Sequence, residues 1–115
     1  MKRDVDRLGD ILEAVARIEK YVARGRQKFE SDELIQNWVV HHLQIIGEAA
    51  RQLSEELRKA HPEIPWARII AMRIILVHDY FSVDLDEVWA VVEQDLSDLK
   101  RKMEAILRES GESRG

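Results

Sequence analysis

The chain has 115 residues, the size of one domain, and its 18 Lys and Arg against 22 Asp and Glu leave a net charge of −4. A composition of 45% hydrophobic and 35% charged residues fits a patterned globular fold rather than disorder, and five Gly with two Pro are too few for the turns of a many-stranded sandwich or barrel. There is no cysteine, which excludes a disulfide framework, a thiol nucleophile and a thiolate metal site, and neither the opening MKRDVDRLGD nor any later run has the apolar length of a signal core or membrane span, so a cytoplasmic helical protein is expected.

The first helix is predicted from about Asp4 to Arg24. Val5, Leu8, Ile11, Leu12, Val15, Ile18 and Val22 recur at spacings of three and four and form one apolar stripe. The segment from Ala23 to Gln27 ends it, with Gly25 as a left-handed cap.

A second and longest helix is predicted from about Asp32 to Ala60. At 100° per residue, Ile35, Val39, Leu43, Ile46, Ala49, Ala50, Leu53 and Leu57 fall in a sector of about 120°. Leu34, Trp38 and Ile45 widen that sector beyond what one neighbouring helix covers, which points to a subunit interface. His61, ahead of Pro62, is pushed out of helical geometry and closes the helix.

Pro65 opens the third helix, where a missing N–H costs nothing, and the helix continues to about His78. From Ile69 to Leu76 it is apolar apart from Arg73, so it reads as central and buried. The fourth helix starts at Asp84, an N-cap with Glu87 three residues on and a Val83–Val88 staple. It runs through Trp89, Val92, Leu96, Leu99, Met103 and Ile106 to about Glu109. Residues 109–115 form a polar frayed tail, leaving a single domain with its core at about 4–108. Four amphipathic helices with short connections predict an all-α antiparallel four-helix bundle.

Charge is uneven along the chain. Seven acids and no Lys or Arg lie between Asp79 and Asp98, a stretch expected to repel a phosphate backbone. Arg17, Lys20, Arg24, Arg26 and Lys28 form one basic group, and Arg51, Arg58, Lys59 and Arg68 another. Nucleic-acid contact is therefore open on one face only.

No H-E-x-x-H, P-loop or G-x-G-x-x-G pattern is present, so no metal or cofactor is expected. His41 and His42 point about 100° apart and cannot chelate one ion together. His42 falls on the apolar stripe and reads as a hydrogen-bonded core or interface histidine, with binding as the alternative. His61 reads as structural.

The segment Arg73-Ile74-Ile75-Leu76-Val77-His78-Asp79-Tyr80 is different. An arginine in an apolar run costs several kcal/mol unless it meets a partner or a wet cleft. Histidine can accept and return a proton, arginine offers a donor fork for phosphate, and tyrosine adds a hydroxyl and a stacking face. Together they suit RNA cleavage in which the 2′-hydroxyl attacks the adjacent phosphate. The competing account is an arginine salt-bridged to a glutamate, with His78 and Tyr80 merely ending the helix. On a straight helix Arg73 and Tyr80 share a face, but His78 is displaced from Arg73 by about 140°. Either the helix unwinds near His78 or a second copy completes the site.

Arg, four residues, His, one residue, Tyr, late in the third helix of a small bundle, resembles the signature of the HEPN superfamily. LQIIGEAARQLSEEL, IPWARIIAMRIILVHDYFSVDLDEVW and QDLSDLKRKMEAIL are similar to the HepT toxin-like subgroup, over roughly residues 4–108. The resemblance implies a homodimeric bundle whose two motifs face each other in an interface cleft. It implies a metal-independent endoribonuclease, the toxin of a toxin–antitoxin pair, with RNA as substrate. An MntA-like nucleotidyltransferase antitoxin would silence it by adding AMP to Tyr80. Arg73 would hold the phosphate and His78 would act as acid and base, with Asp79, His42 and Glu48 as candidate supporting residues. One departure stands out: the residue after the arginine, commonly polar in active members, is Ile74 here. That departure keeps a second reading alive, a non-catalytic dimeric module that docks a nucleotidyltransferase. Gly47 and Glu48 read mainly as packing, the glycine for close helix approach and the glutamate as partner to an arginine.

Overall fold

A computed structural model describes residues 3–75 and 84–112. The elements are α1 (Asp4–Val22), α2 (Arg26–Ser31), α3 (Glu33–Arg51), α4 (Glu55–Ala60), α5 (Trp66–Ile75), α6 (Leu85–Ala90), a π-helical turn (Val91–Asp95) and α7 (Leu96–Glu112). Among the described residues there is no strand, in keeping with the predicted all-α bundle.

α1 and α3 form the spine and run antiparallel. Asp4 at the start of α1 holds Ser54 beyond the end of α3, while Tyr21 at the other end of α1 packs edge-on against Trp38. Leu8, Ile11, Val15 and Ile18 of α1 meet Val39, Leu43 and Ile46 of α3, all with no exposed surface. α5 lies along the other flank of α3. α7 lies along α1, with Lys100 reaching Glu19 at 3.4 Å, and it contributes Leu96, Leu99, Met103 and Ile106 to the core.

The chain departs from the predicted helices in three places. Residues 26–31, read as a connection, form α2. Gly25 at φ +99° turns the chain into it, and Phe29 buries itself against Trp89 with ring centroids 5.4 Å apart. The predicted helix over residues 32–60 is broken at Gln52–Ser54 into α3 and α4. Ser54 caps α4 by accepting from the Leu57 N–H at 3.1 Å, and both its own N–H and its hydroxyl donate to Asp4 (2.9 and 2.6 Å). A helical run of good helix formers is interrupted here by a contact from a distant helix, which propensity does not carry. The fourth predicted helix is one rod with a π turn inside it. Its buried residues Val88, Val92 and Leu96 are spaced by four, a step that drifts by about 40° on a regular helix, and the wider π turn holds them on one face.

Other expectations hold in their particulars. Asp84 caps α6 through the Glu87 N–H at 3.1 Å. His61 leaves helical geometry at ψ 63° and closes α4. One end differs: α7 extends to Glu112, three residues past the predicted end at Glu109 and into the tail expected to be frayed. No helix of the described residues is long and apolar enough to cross a membrane.

Candidate active site

The polar seam of the molecule lies between α3 and α5, and Gly47 is the residue that permits it. A Cβ at position 47 would stand 2.6 Å from the Arg73 backbone nitrogen and 3.0 Å from the Ile70 carbonyl oxygen, so any side chain would force the helices apart. With glycine there, the two backbones touch, and Glu48, one residue on, comes up beside Arg73.

Glu48 is surrounded by donors. Arg51 Nη2 donates to Oε1 at 2.6 Å, Gln52 Nε2 donates to the same oxygen at 2.8 Å, and Arg73 Nη1 donates to Oε2 at 3.4 Å. The hydrogen bond from Arg51, followed by that from Gln52, holds the Glu48 carboxyl down to about 2, with the charges of Arg51 and Arg73 adding to it and partial burial opposing it. A carboxylate so stabilised is a poor proton acceptor near neutrality. Its geometry suits holding a guanidinium in place.

Arg73 is only loosely held. Its contact with Glu48 is long for a charge-assisted bond, its side chain is 38% exposed, and its buried Nε has no partner among the described residues. Both accounts of Arg73 drawn from its sequence context meet here: it has its glutamate, and part of its guanidinium side chain is still open to solvent. His78, Asp79 and Tyr80 lie outside the described residues. Ile74 directly follows Arg73 in α5.

His42 lies elsewhere in the same chain. It is 5% exposed, its Nδ1 sits 2.7 Å from the Trp38 carbonyl, and its ring packs on Trp38 at 4.4 Å. A carbonyl only accepts, so Nδ1 carries the proton. With Asp10, Glu13 and Arg17 it lines an open groove of about 290 Å³ between α1 and α3, away from the α5 flank that carries Arg73. His61 faces Glu63 and Glu109, at 3.5 and 3.9 Å, and links the α4–α5 connection to α7.

The acidic stretch is less repellent than its sequence implies. Asp86 meets Arg26, Asp95 meets Arg68 at 2.9 Å, and Asp98 meets Arg101 and Lys102, so much of its charge is matched locally. Arg51 and Gln52, the main partners of Glu48, are not singled out by the sequence, in which Arg51 is one member of a general basic group. The usable signal is spacing: Glu48 to Arg51 is i, i+3 on one helix face.

The chain is similar to known proteins along most of its length. The profile of the family described as "Ribonuclease HepT-like" matches residues 11–106. The protein named "Probable ribonuclease HepT" from Thermococcus cleftensis is 39% identical over 108 residues, covering 92% of this chain and 98% of that protein. "Putative RNase MJ1380" from Methanocaldococcus jannaschii is 33% identical over 107 residues, covering 91% of this chain and 98% of that protein. A longer protein of the same organism, "Gamma-glutamylcyclotransferase and putative RNase MJ0434", is 37% identical over 111 residues, which is 95% of this chain and 50% of that protein. No solved structure matches the chain.

Proposed function

The chain belongs to the ribonuclease HepT-like family, and from that premise we propose that it is the toxin of a toxin–antitoxin pair, a cytoplasmic, metal-independent endoribonuclease. Its site is completed by a second copy of the chain. The observation that carries this reading is Arg73: a guanidinium in an apolar helix, loosely tethered by Glu48 and partly open to solvent, where a phosphate can reach it.

In this reading His78 takes the proton from a ribose 2′-hydroxyl, whose oxygen attacks the adjacent phosphorus. Arg73 neutralises the charge that builds on the phosphoryl oxygens. The bond from phosphorus to the 5′-oxygen breaks and a His78 imidazolium gives that oxygen a proton, leaving a 2′,3′-cyclic phosphate and a free 5′-hydroxyl. In a homodimer one copy's His78 can reach a phosphate held across the cleft, which removes the difficulty of a displacement of about 140° on a single straight helix. Glu48 supports this site by holding Arg73, and Asp79 is a further supporting residue within the motif, while His42 supports the α1–α3 packing. A nucleotidyltransferase antitoxin silences the toxin by transferring AMP from ATP to the Tyr80 hydroxyl, with release of pyrophosphate.

Expression of the chain alone should arrest growth, and His78→Ala should relieve the arrest and abolish production of cyclic-phosphate RNA ends. Equal toxicity of the two proteins would sink the proposal. Ile74 favours one alternative, a module that docks the nucleotidyltransferase without cutting RNA. That alternative predicts an adenylate mass on Tyr80 after incubation with the transferase and ATP, with no RNA cleavage by the unmodified chain.

A further inference from the structure

Two arginines converge on the Glu48 carboxylate, one from its own helix and one from α5. Arg51 holds both oxygens, with Nη2 2.6 Å from Oε1 and Nε 3.4 Å from Oε2, and Arg73 Nη1 also lies 3.4 Å from Oε2. The two oxygens of a carboxylate are spaced much like the two non-bridging oxygens of a phosphodiester, and arginine forks suit either. The side chains of Arg51, Glu48 and Arg73 are all substantially open to solvent.

We propose that Arg51 is a second phosphate-binding residue of this site, acting beside Arg73 on one RNA phosphodiester, with Glu48 spacing the two guanidiniums. The inference rests on the ribonuclease reading above and adds to it a residue and a charge count. Two guanidiniums and one carboxylate leave a single positive charge, the complement of one phosphodiester. Both guanidiniums reach Oε2 of Glu48, so a phosphate bound by the exposed part of Arg73 lies beside Arg51.

A plainer account exists for Arg51. It is the last residue of α3, where any cation gains from the helix dipole, and an exposed i, i+3 pair with Glu48 is ordinary. That account needs nothing from α5. The close approach at Gly47 is what brings Arg73 to the same carboxylate. Among the described residues, the other arginines with side-chain carboxylate partners do not share this feature: Arg17 is bound to Glu13, Arg68 to Asp95, Arg26 to Glu30 and Asp86, and Arg101 to Asp98, none of them an acid shown in contact with Arg73.

The test is binding of a short single-stranded 2′-O-methyl RNA, which cannot be cut by 2′-hydroxyl attack, measured across a salt series for the full chain and its Arg51→Gln, Arg51→Lys and Arg73→Gln variants. Arg51→Gln is expected to bind about tenfold more weakly. Its plot of log affinity against log salt should flatten by about 0.7, the contribution of one phosphate contact to a single strand. Arg51→Lys keeps the helix-terminal charge without the fork, and should restore the salt slope but only part of the affinity. A purely helix-stabilising Arg51 would move the melting temperature and leave the salt slope alone. Weakening in Arg73→Gln with unchanged affinity and slope in Arg51→Gln overturns this inference alone. Equal binding by the unaltered chain and both glutamine variants overturns it together with the ribonuclease reading.

Discussion

The two flanks of α3 are built to opposite rules. Toward α1 it presents Val39, Leu43 and Ile46, all without exposed surface, and the seam is finished by Trp38 Nε1 donating to the Arg17 carbonyl at 2.9 Å. Toward α5 it presents a glycine followed by a glutamate, and the seam holds a half-exposed arginine with an unpartnered Nε. The apolar side chains of the first flank are sealed from solvent, which is what stability requires. The second keeps a guanidinium and a carboxylate partly open to solvent, where a charged ligand can reach them.

The largest effect should come from emptying the first flank. Leu43→Ala removes a fully buried side chain from the α1–α3 spine and should cost about 2–5 kcal/mol of stability, read from the denaturant midpoint. RNA cleavage per folded molecule should remain close to normal, since Leu43 belongs to the α1 flank of α3 and not to the α5 flank that carries Arg73. A variant that folded normally but lost cleavage would erase the distinction between the flanks.

Gly47→Ala attacks the second flank at its narrowest point. One methyl group aimed at the Arg73 backbone nitrogen should cost about 1–3 kcal/mol by overpacking. Here the signature is reversed: cleavage should fall further than stability explains, because displacing α5 separates Arg73 from Glu48. A thermal melt alongside single-turnover cleavage checks both halves.

The smallest effect is a pH dependence. The pKa of Glu48 is depressed in the folded chain, so its contribution is present above the ordinary carboxylate range and is lost as pH falls from about 4.5 toward about 2. Glu48 is substantially exposed, which screens the effect to a modest one. Acid unfolding of Glu48→Gln should accordingly be slightly less steep over that window than that of the unaltered chain. An identical acid profile would mean that the donors around Glu48 matter little to folding.

Much of this molecule is legible in short stretches of its sequence. The apolar stripe of α1, the Asp84 cap and the break at His61–Pro62 are local signals, each set by residues within a turn or two of one another. Even the pairing of Glu48 with an arginine is legible as a type of contact. What stays hidden is long-range. Ser54 ends α3 because Asp4, fifty positions earlier, takes its donors. Phe29 makes a helix out of an apparent connection because Trp89 covers it.

The candidate site divides the same way. Residue type and spacing along the chain determine that Arg73 is a charge in an apolar helix and that Arg51 lies one turn from Glu48, because both follow from helical periodicity alone. Only the packing of α3 on α5 decided that those two arginines share one carboxylate. That contact depends on two backbones meeting at a glycine, and no pattern along a single helix encodes which neighbour will press against it.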